Sequence, residues 1–252
     1  MQGELFSTFK QLHYADTPLV LVNIWDAGSA VLVQAAGAKA LATGSASLAW
    51  SLGYADGNQL PTDELLNAVG RILRVSRVPL TIDIEEGYSD SPAQVADLVA
   101  RLQAMGVAGI NLEDGTNAPA LLAEKIQAIR HKVGESIYIN ARTDVYLRGL
   151  AEGQTALDMA IERLRLYQQT GADGGFIPGL QDIQTARQLA ASLSIPLNLM
   201  VASSEPIEAL SQAGIRRFSM GPVPFVKAYQ QLVNLQDAAY PALNYPAING
   251  LF

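Results

Sequence analysis

The sequence predicts one α/β domain, a closed (β/α)8 barrel of the TIM type. Two observations carry this reading. Short apolar runs alternate eight times with longer stretches of helical spacing, and polar and acidic groups gather where the runs stop.

The runs are residues 19–24, 40–43, 79–83, 109–112, 137–141, 175–177, 197–201 and 217–220. They are too short for helices, and they read as nearly continuous apolar segments, as strands buried on both faces do. Helical spacing fills 29–36, 62–76, 91–105, 121–132, 154–170, 183–193, 205–213 and 223–234. Thr62 before Asp63-Glu64, and Ser91 before Pro92, are start signals. Ala36-Gly37, Met105-Gly106, Thr170-Gly171 and Ala213-Gly214 put glycine where a left-handed residue ends a helix. Eight such units in 252 residues match the usual size of the barrel. A doubly wound open sheet is the rival, but it more often has five or six strands and a glycine-rich first turn, which Asp26-Ala-Gly-Ser matches poorly. No low-complexity segment divides the chain, so residues 1–252 read as one domain. A proline-containing apolar tail at about 236–252 suits packing on a partner subunit.

Composition excludes several functions. A net charge of -7 without a Lys/Arg cluster argues against nucleic acid, whose phosphates need a basic footprint. No apolar run reaches the length of a membrane span. With no cysteine, disulfides, thiolate metal sites and cysteine nucleophiles are all ruled out. The first residues show neither a basic segment nor an apolar signal core, so a cytoplasmic protein is expected.

In such barrels the loops after the strands form the active face. Those positions hold Trp25 and Asp26, Thr43-Gly44-Ser45, Asp83 and Glu85, Glu113 and Asp114, Arg142 and Asp144, Pro178, Asn198 or Val201, and Ser219. Asp83 and Glu85, two apart, are expected to point to one side of their strand. Converging carboxylates repel one another unless a cation joins them, which suits a hard divalent ion such as Mg2+. A surface acid pair satisfied by lysines or helix N-termini is the plainer alternative. Arg142 can grip a carboxylate in bidentate fashion, or simply pair with Asp144. Thr43-Gly44-Ser45 offers backbone N–H groups as an anion cradle, or is only a turn. Trp25 and Tyr88 are candidate pocket walls. His13 and His131 lie away from the strand ends and read as solvated.

Several phrases, in order, resemble the phosphoenolpyruvate mutase and isocitrate lyase superfamily. They are Asn23-Ile-Trp-Asp-Ala-Gly-Ser-Ala, Thr43-Gly-Ser, Ser51-Leu-Gly-Tyr-Ala-Asp56, Asp83-Ile-Glu-Glu-Gly-Tyr, Gly106-Val-Ala-Gly-Ile-Asn-Leu-Glu-Asp and Ala141-Arg142, spread over roughly 20–225. The resemblance implies a barrel carrying Mg2+, or Mn2+ in its place. It makes Asp83 the direct ligand, with Asp56, Glu85 and Glu113 acting mostly through bound waters. It further implies that Thr43, Gly44 and Ser45 hold one substrate carboxylate and Arg142 the other end; Trp25 and Asn198, from the strand-end reading, complete the expected substrate pocket. Members commonly form tetramers that swap a C-terminal helix, so a homo-tetramer or homo-dimer is expected. The shared chemistry is a 2-oxo acid whose enolate has its charge held by metal and arginine.

Departures narrow the activity. The cysteine loop that isocitrate and methylisocitrate lyases carry after the Glu-Asp pair is missing, because Gly-Thr-Asn-Ala-Pro-Ala follows Glu113-Asp114. The mutases place Asp where Glu85 stands and His where Pro178 stands. The resulting expectation is a Mg2+-dependent lyase, cleaving or decarboxylating a small 2-oxo or 2-hydroxy dicarboxylate, with Tyr54, Tyr88 or a metal-bound water as proton donor. A phosphonopyruvate-type C–P mutase or hydrolase, and a carboxylate-binding barrel of weak turnover, are the alternatives. A sugar-phosphate barrel ranks last, since Ala202-Ser-Ser-Glu and Met220-Gly-Pro-Val make poor phosphate loops.

Overall fold

The computed structural model describes residues 2–234 and 244–251. Helix α1 (Gln2–Leu12) precedes the barrel and plugs its floor. Its Phe9 is fully buried among Leu19, Leu21, Ala40, Ala42, Ala108 and Tyr138, at or near the starts of the strands. Burial of that one ring contributes about 2 kcal/mol.

The first run breaks at Val22 into β1 (Leu19–Leu21) and β2 (Asn23–Ile24). Then follow α2 (Ala27–Ala35), β3 (Leu41–Thr43), α3 (Ser45–Ser51), α4 (Thr62–Leu73), β4 (Leu80–Asp83), α5 (Pro92–Met105), β5 (Gly109–Glu113) and α6 (Pro119–Val133). The second half holds β6 (Tyr138–Arg142), α7 (Gly153–Thr170), β7 (Gly174–Ile177), α8 (Ile183–Ser192), β8 (Leu197–Met200), α9 (Ile207–Gln212), β9 (Arg217–Ser219), α10 (Val223–Val233) and α11 (Tyr245–Asn249). All strand pairs are parallel, in the order β1-β9-β8-β7-β6-β5-β4-β3-β2. Because β1 pairs with β9 while β2 pairs with β3, the split first run closes the ring. Each of the eight expected runs therefore carries a strand.

Alternation within each strand sorts the two layers. Ile110 and Leu112 join the apolar layer under the helices, with Ile82, Ile139 and Phe218. Between them, Asn111 accepts hydrogen bonds from Asn140 and Arg217 inside the barrel. The interior is thus polar where barrels of this kind usually hold branched apolar side chains. The four glycines expected to end helices adopt positive φ, between 94° at Gly37 and 115° at Gly171.

Two helices, α1 and α3, carry no expectation from the sequence, while α11 lies in the tail where the resemblance implies a C-terminal helix. In α3 all of Ala46, Ser47, Leu48, Ala49 and Trp50 are buried, so no polar face marks a helical period. His13 corrects the reading of a solvated side chain, because it is 1% exposed. Its ring stacks on Tyr138 with centroids 4.1 Å apart. Its Nδ1 donates to the Phe9 carbonyl at 2.8 Å, which leaves Nε2 to accept from the Arg217 guanidinium at 3.4 Å. Most of the tail at 236–252 lies outside the described residues, which resume at 244.

Candidate active site

Strand β4 ends at Asp83, so Glu85 is not on the strand and alternation does not aim it. Instead Glu85 takes φ +51°, in the left-handed region that β-carbons disfavour. Asn58 (φ +60°) and Tyr88 (φ +58°) share that conformation, so three unfavourable residues gather near this strand end. The turn is pinned from several sides. Glu85 Oε2 accepts the Asn58 N–H, and Asp83 Oδ1 accepts the Glu85 N–H at 3.1 Å. Buried Lys125 of α6 donates Nζ to the Glu86 carbonyl at 2.8 Å.

Asp83 is held as firmly. Its N–H donates to Thr43 Oγ1 at 3.0 Å, and its Oδ2 accepts from Asn111 Nδ2 at 3.2 Å. The Asn111 amide cannot turn over, because its Oδ1 already accepts from Asn140 at 2.9 Å and from Arg217 at 3.0 Å. Burial raises the Asp83 carboxyl's pKa, and Arg142 opposes that rise. Burial, with Asp56 and Asp83 nearby, pushes Glu85 up to about 7. Glu113 rises for the same reason, again against Arg142.

Arg142 makes the ion pair with Asp144 that is the plainer of its two readings, and a second one with Glu113. Its Nη1 lies 2.7 Å from Glu113 Oε2, and it meets Asp144 in bidentate fashion, with Nε to Oδ1 at 2.6 Å and Nη2 to Oδ2 at 3.1 Å. Asp114 is a correction to the acidic set. It turns away from the mouth, its Oδ2 accepting from Arg163 at 2.9 Å and Tyr167 at 2.7 Å, and its Oδ1 from the Asp144 N–H at 2.9 Å. Asp26 is likewise spent as the N-cap of α2, in a capping box with Ser29.

A cavity of about 510 Å3 opens among these groups. Asp56, Asp83, Glu85, Glu113 and Arg142 all line it, as do Gly44 and Ser45 at the uncapped first turn of α3. A larger depression of about 860 Å3 lies on the outer surface beside α7 and holds no such convergence. Four expected pocket residues are absent from the lining: Tyr88, which packs partly buried against the main core, and three more. Trp25 packs on Phe225 and Tyr229, Thr43 is fully buried beneath Asp83, and Asn198 lies inside the barrel, donating to Ser219 at 3.1 Å. Conversely, Asn23, Asn111, Arg148, Phe176 and Tyr245 line the cavity without having been singled out. Arg148, six residues after Arg142 and bonded to Asp144 at 2.9 Å, is a second cation that a scan of the whole loop would have found.

The donor set fits a hard divalent cation. All the acids are oxygen donors, and Asp56 Oδ1 is buried with no hydrogen-bond partner. Among the described residues no three His, Cys, Asp or Glu side chains converge closely enough to hold an ion by themselves.

The family model described as phosphoenolpyruvate phosphomutase matches residues 9–239. The chain belongs to the phosphoenolpyruvate mutase family. Its relatives fall in the superfamily that also includes the isocitrate lyases, whose members are lyases and mutases. This phosphoenolpyruvate mutase family member is 35% identical to an uncharacterised protein of Mycobacterium tuberculosis (strain ATCC 25618 / H37Rv), over 86% of this chain and 83% of that protein. It is 30% identical to oxaloacetate decarboxylase 2 of Pseudomonas fluorescens (strain Pf0-1), over 89% of this chain and 81% of the decarboxylase. A crystal structure from Burkholderia cenocepacia J2315, provisionally assigned as a phosphonomutase, superposes with a TM-score of 0.87 at 39% identity, covering 92% of this chain and 98% of that one.

Proposed function

We propose that the chain is a Mg2+-dependent lyase that cleaves or decarboxylates a small 2-oxo or 2-hydroxy dicarboxylate. The observation that carries this reading is the shared lining of one cavity by Asp56, Asp83, Glu85, Glu113 and Arg142 at the carboxyl ends of the strands. The similarity to an oxaloacetate decarboxylase supports the substrate class.

Asp83 would hold the cation directly, and Asp56, Glu85 and Glu113 through its waters, with Mn2+ able to replace Mg2+. A cation held there would supply Lewis-acid stabilisation of the negative charge that bond cleavage leaves behind. The first turn of α3, at Gly44 and Ser45, receives one carboxylate on backbone N–H groups. Arg142 and Arg148 supply positive charge on the opposite wall, where the far carboxylate sits. Asn111 and Thr43 keep Asp83 from rotating, so its geometry is set before the substrate arrives. Tyr88, which shares a hydrogen bond with Glu85, remains a proton-donor candidate together with Tyr54.

One observation favours a second reading, a carboxylate-binding barrel of weak turnover. Arg142 is already engaged by Glu113 and Asp144, and α6 begins at Pro119, which leaves little loop to close over the site. The phosphonomutase-like neighbour keeps C–P chemistry as a third. Exposed Leu32 on α2 and Leu232 on α10 offer apolar surface for the expected dimer or tetramer. Among the described residues no helix is long and apolar enough to cross a membrane.

A screen of small oxo- and hydroxy-dicarboxylates and phosphonopyruvate under Mg2+, read by substrate loss and product, tests the reading. Turnover of a dicarboxylate that disappears in Asp83→Ala supports it. Binding without product favours the second reading, and release of phosphate or a mutase product favours the third.

A further inference from the structure

Asp56 lies in the irregular segment between α3 and α4, where Gly53, Gly57 and Asn58 all have positive φ. Such a segment has little regular backbone bonding of its own, so whatever fixes Asp56 must come from elsewhere. The far end of the chain supplies it. In α11, Tyr245, Ile248 and Asn249 are spaced by three and four residues and therefore share one face. Ile248 is buried with Ala46, Trp50 and Phe225, which seats the turn on α3. Asn249 Oδ1 accepts two N–H groups, the Asp56 backbone at 2.7 Å and the Trp50 indole at 3.0 Å. Two donors on one oxygen settle which way that amide faces. The Tyr245 hydroxyl donates to Asp56 Oδ2 at 2.8 Å, and its ring lies 5.4 Å from that of Trp50. With Oδ2 taken, Oδ1 is the buried oxygen left without a partner, and both Asp56 and Tyr245 line the cavity.

We infer that the C-terminal turn is a working part of the site. Asn249 and Tyr245 are positioning residues that hold Asp56 with its unpaired oxygen turned to the cavity, and the Tyr245 ring walls the mouth where the outer end of a dicarboxylate emerges. The inference deepens the lyase reading and rests on it. The positioning extends further, since the neighbouring Asn58 N–H is bonded to Glu85.

The test uses full-length protein, Mn2+ as the metal and oxalate as a two-carboxylate mimic of an enolate. Tyr245→Phe removes one hydroxyl, and Asn249→Leu removes the shared acceptor at similar size. Tyr245→Phe is expected to weaken Mn2+-dependent oxalate binding about tenfold while the melting temperature holds, the weight of one hydrogen bond to a charged group; Asn249→Leu leaves the Asp56 and Trp50 N–H groups without their acceptor and is expected to weaken binding at least as much, with some fall in melting temperature. If the residues act through Asp56, adding Tyr245→Phe to Asp56→Asn costs no further affinity, whereas a loss arising from general loosening of the fold would add. Binding in both single variants within twofold of the parent, or additive losses, would overturn the inference while leaving the lyase reading standing. A parent that binds oxalate no better than Asp83→Ala would overturn both.

Discussion

Glu113 and Arg142 are register partners on neighbouring strands, and their side chains meet at 2.7 Å at the rim of the cavity. The same guanidinium grips Asp144, so one cation holds two carboxylates that would otherwise repel one another.

That arrangement makes the two ends of the pair unequal. Arg142→Met leaves Glu113 buried without its cation and Asp144 with Arg148 alone, and should destabilise the fold by about 3–5 kcal/mol. Glu113→Gln leaves Arg142 paired with Asp144 and should cost much less. Urea unfolding of the two variants checks the order, and an equal loss in both would contradict it.

Glu85, with its carboxyl raised to about 7, sets a pH window in metal-free protein. The native state holds this proton up to about pH 7, while the unfolded chain releases it near the usual glutamate value. Stability from this group is therefore present at low pH and lost as pH rises through that window, at up to about 1.4 kcal/mol per pH unit. Unfolding in EDTA at several pH values should show a fall that Glu85→Gln lacks.

His13 works in the opposite direction. Burial, and after it Arg217, lower its pKa to about 3, so the folded protein keeps it neutral while the unfolded chain takes a proton below about 6.5. Its contribution is complete above that value and is lost as pH falls, by about 2 kcal/mol between pH 6.5 and 5. Comparing the parent with His13→Phe across this range isolates the effect; parallel curves would contradict it.

Asp114 bonds to Arg163, Tyr167 and the Asp144 backbone. Asp114→Asn should therefore lower stability by about 2–4 kcal/mol and leave Mn2+ affinity unchanged. A selective loss of metal binding would contradict this and add Asp114 to the residues that hold the ion.

Much of this was legible before any coordinates. The eight strand runs and four glycine stops are local signals, and each holds in the fold. Acids at strand ends were also readable, because strand boundaries locate the active face. What escaped was set by tertiary contact. Asp114 differs from Glu113 by one position, yet α7 claims it. Glu85 reaches the cavity through a left-handed turn that no spacing rule indicates. His13 and Arg217 bond across 204 residues of chain, inside a floor built by a helix the periodicity did not reveal. Tyr245 meets Asp56 across 189 residues of chain, from a short turn whose seat no local pattern indicates.

The central claim is that Asp83 anchors one hard cation at the mouth of the barrel. Calorimetric titration of the parent and Asp83→Ala with Mn2+, alongside their circular dichroism spectra, tests it most directly. The expected result is one site per chain in the parent and none in a normally folded variant; equal affinity in the two would contradict it.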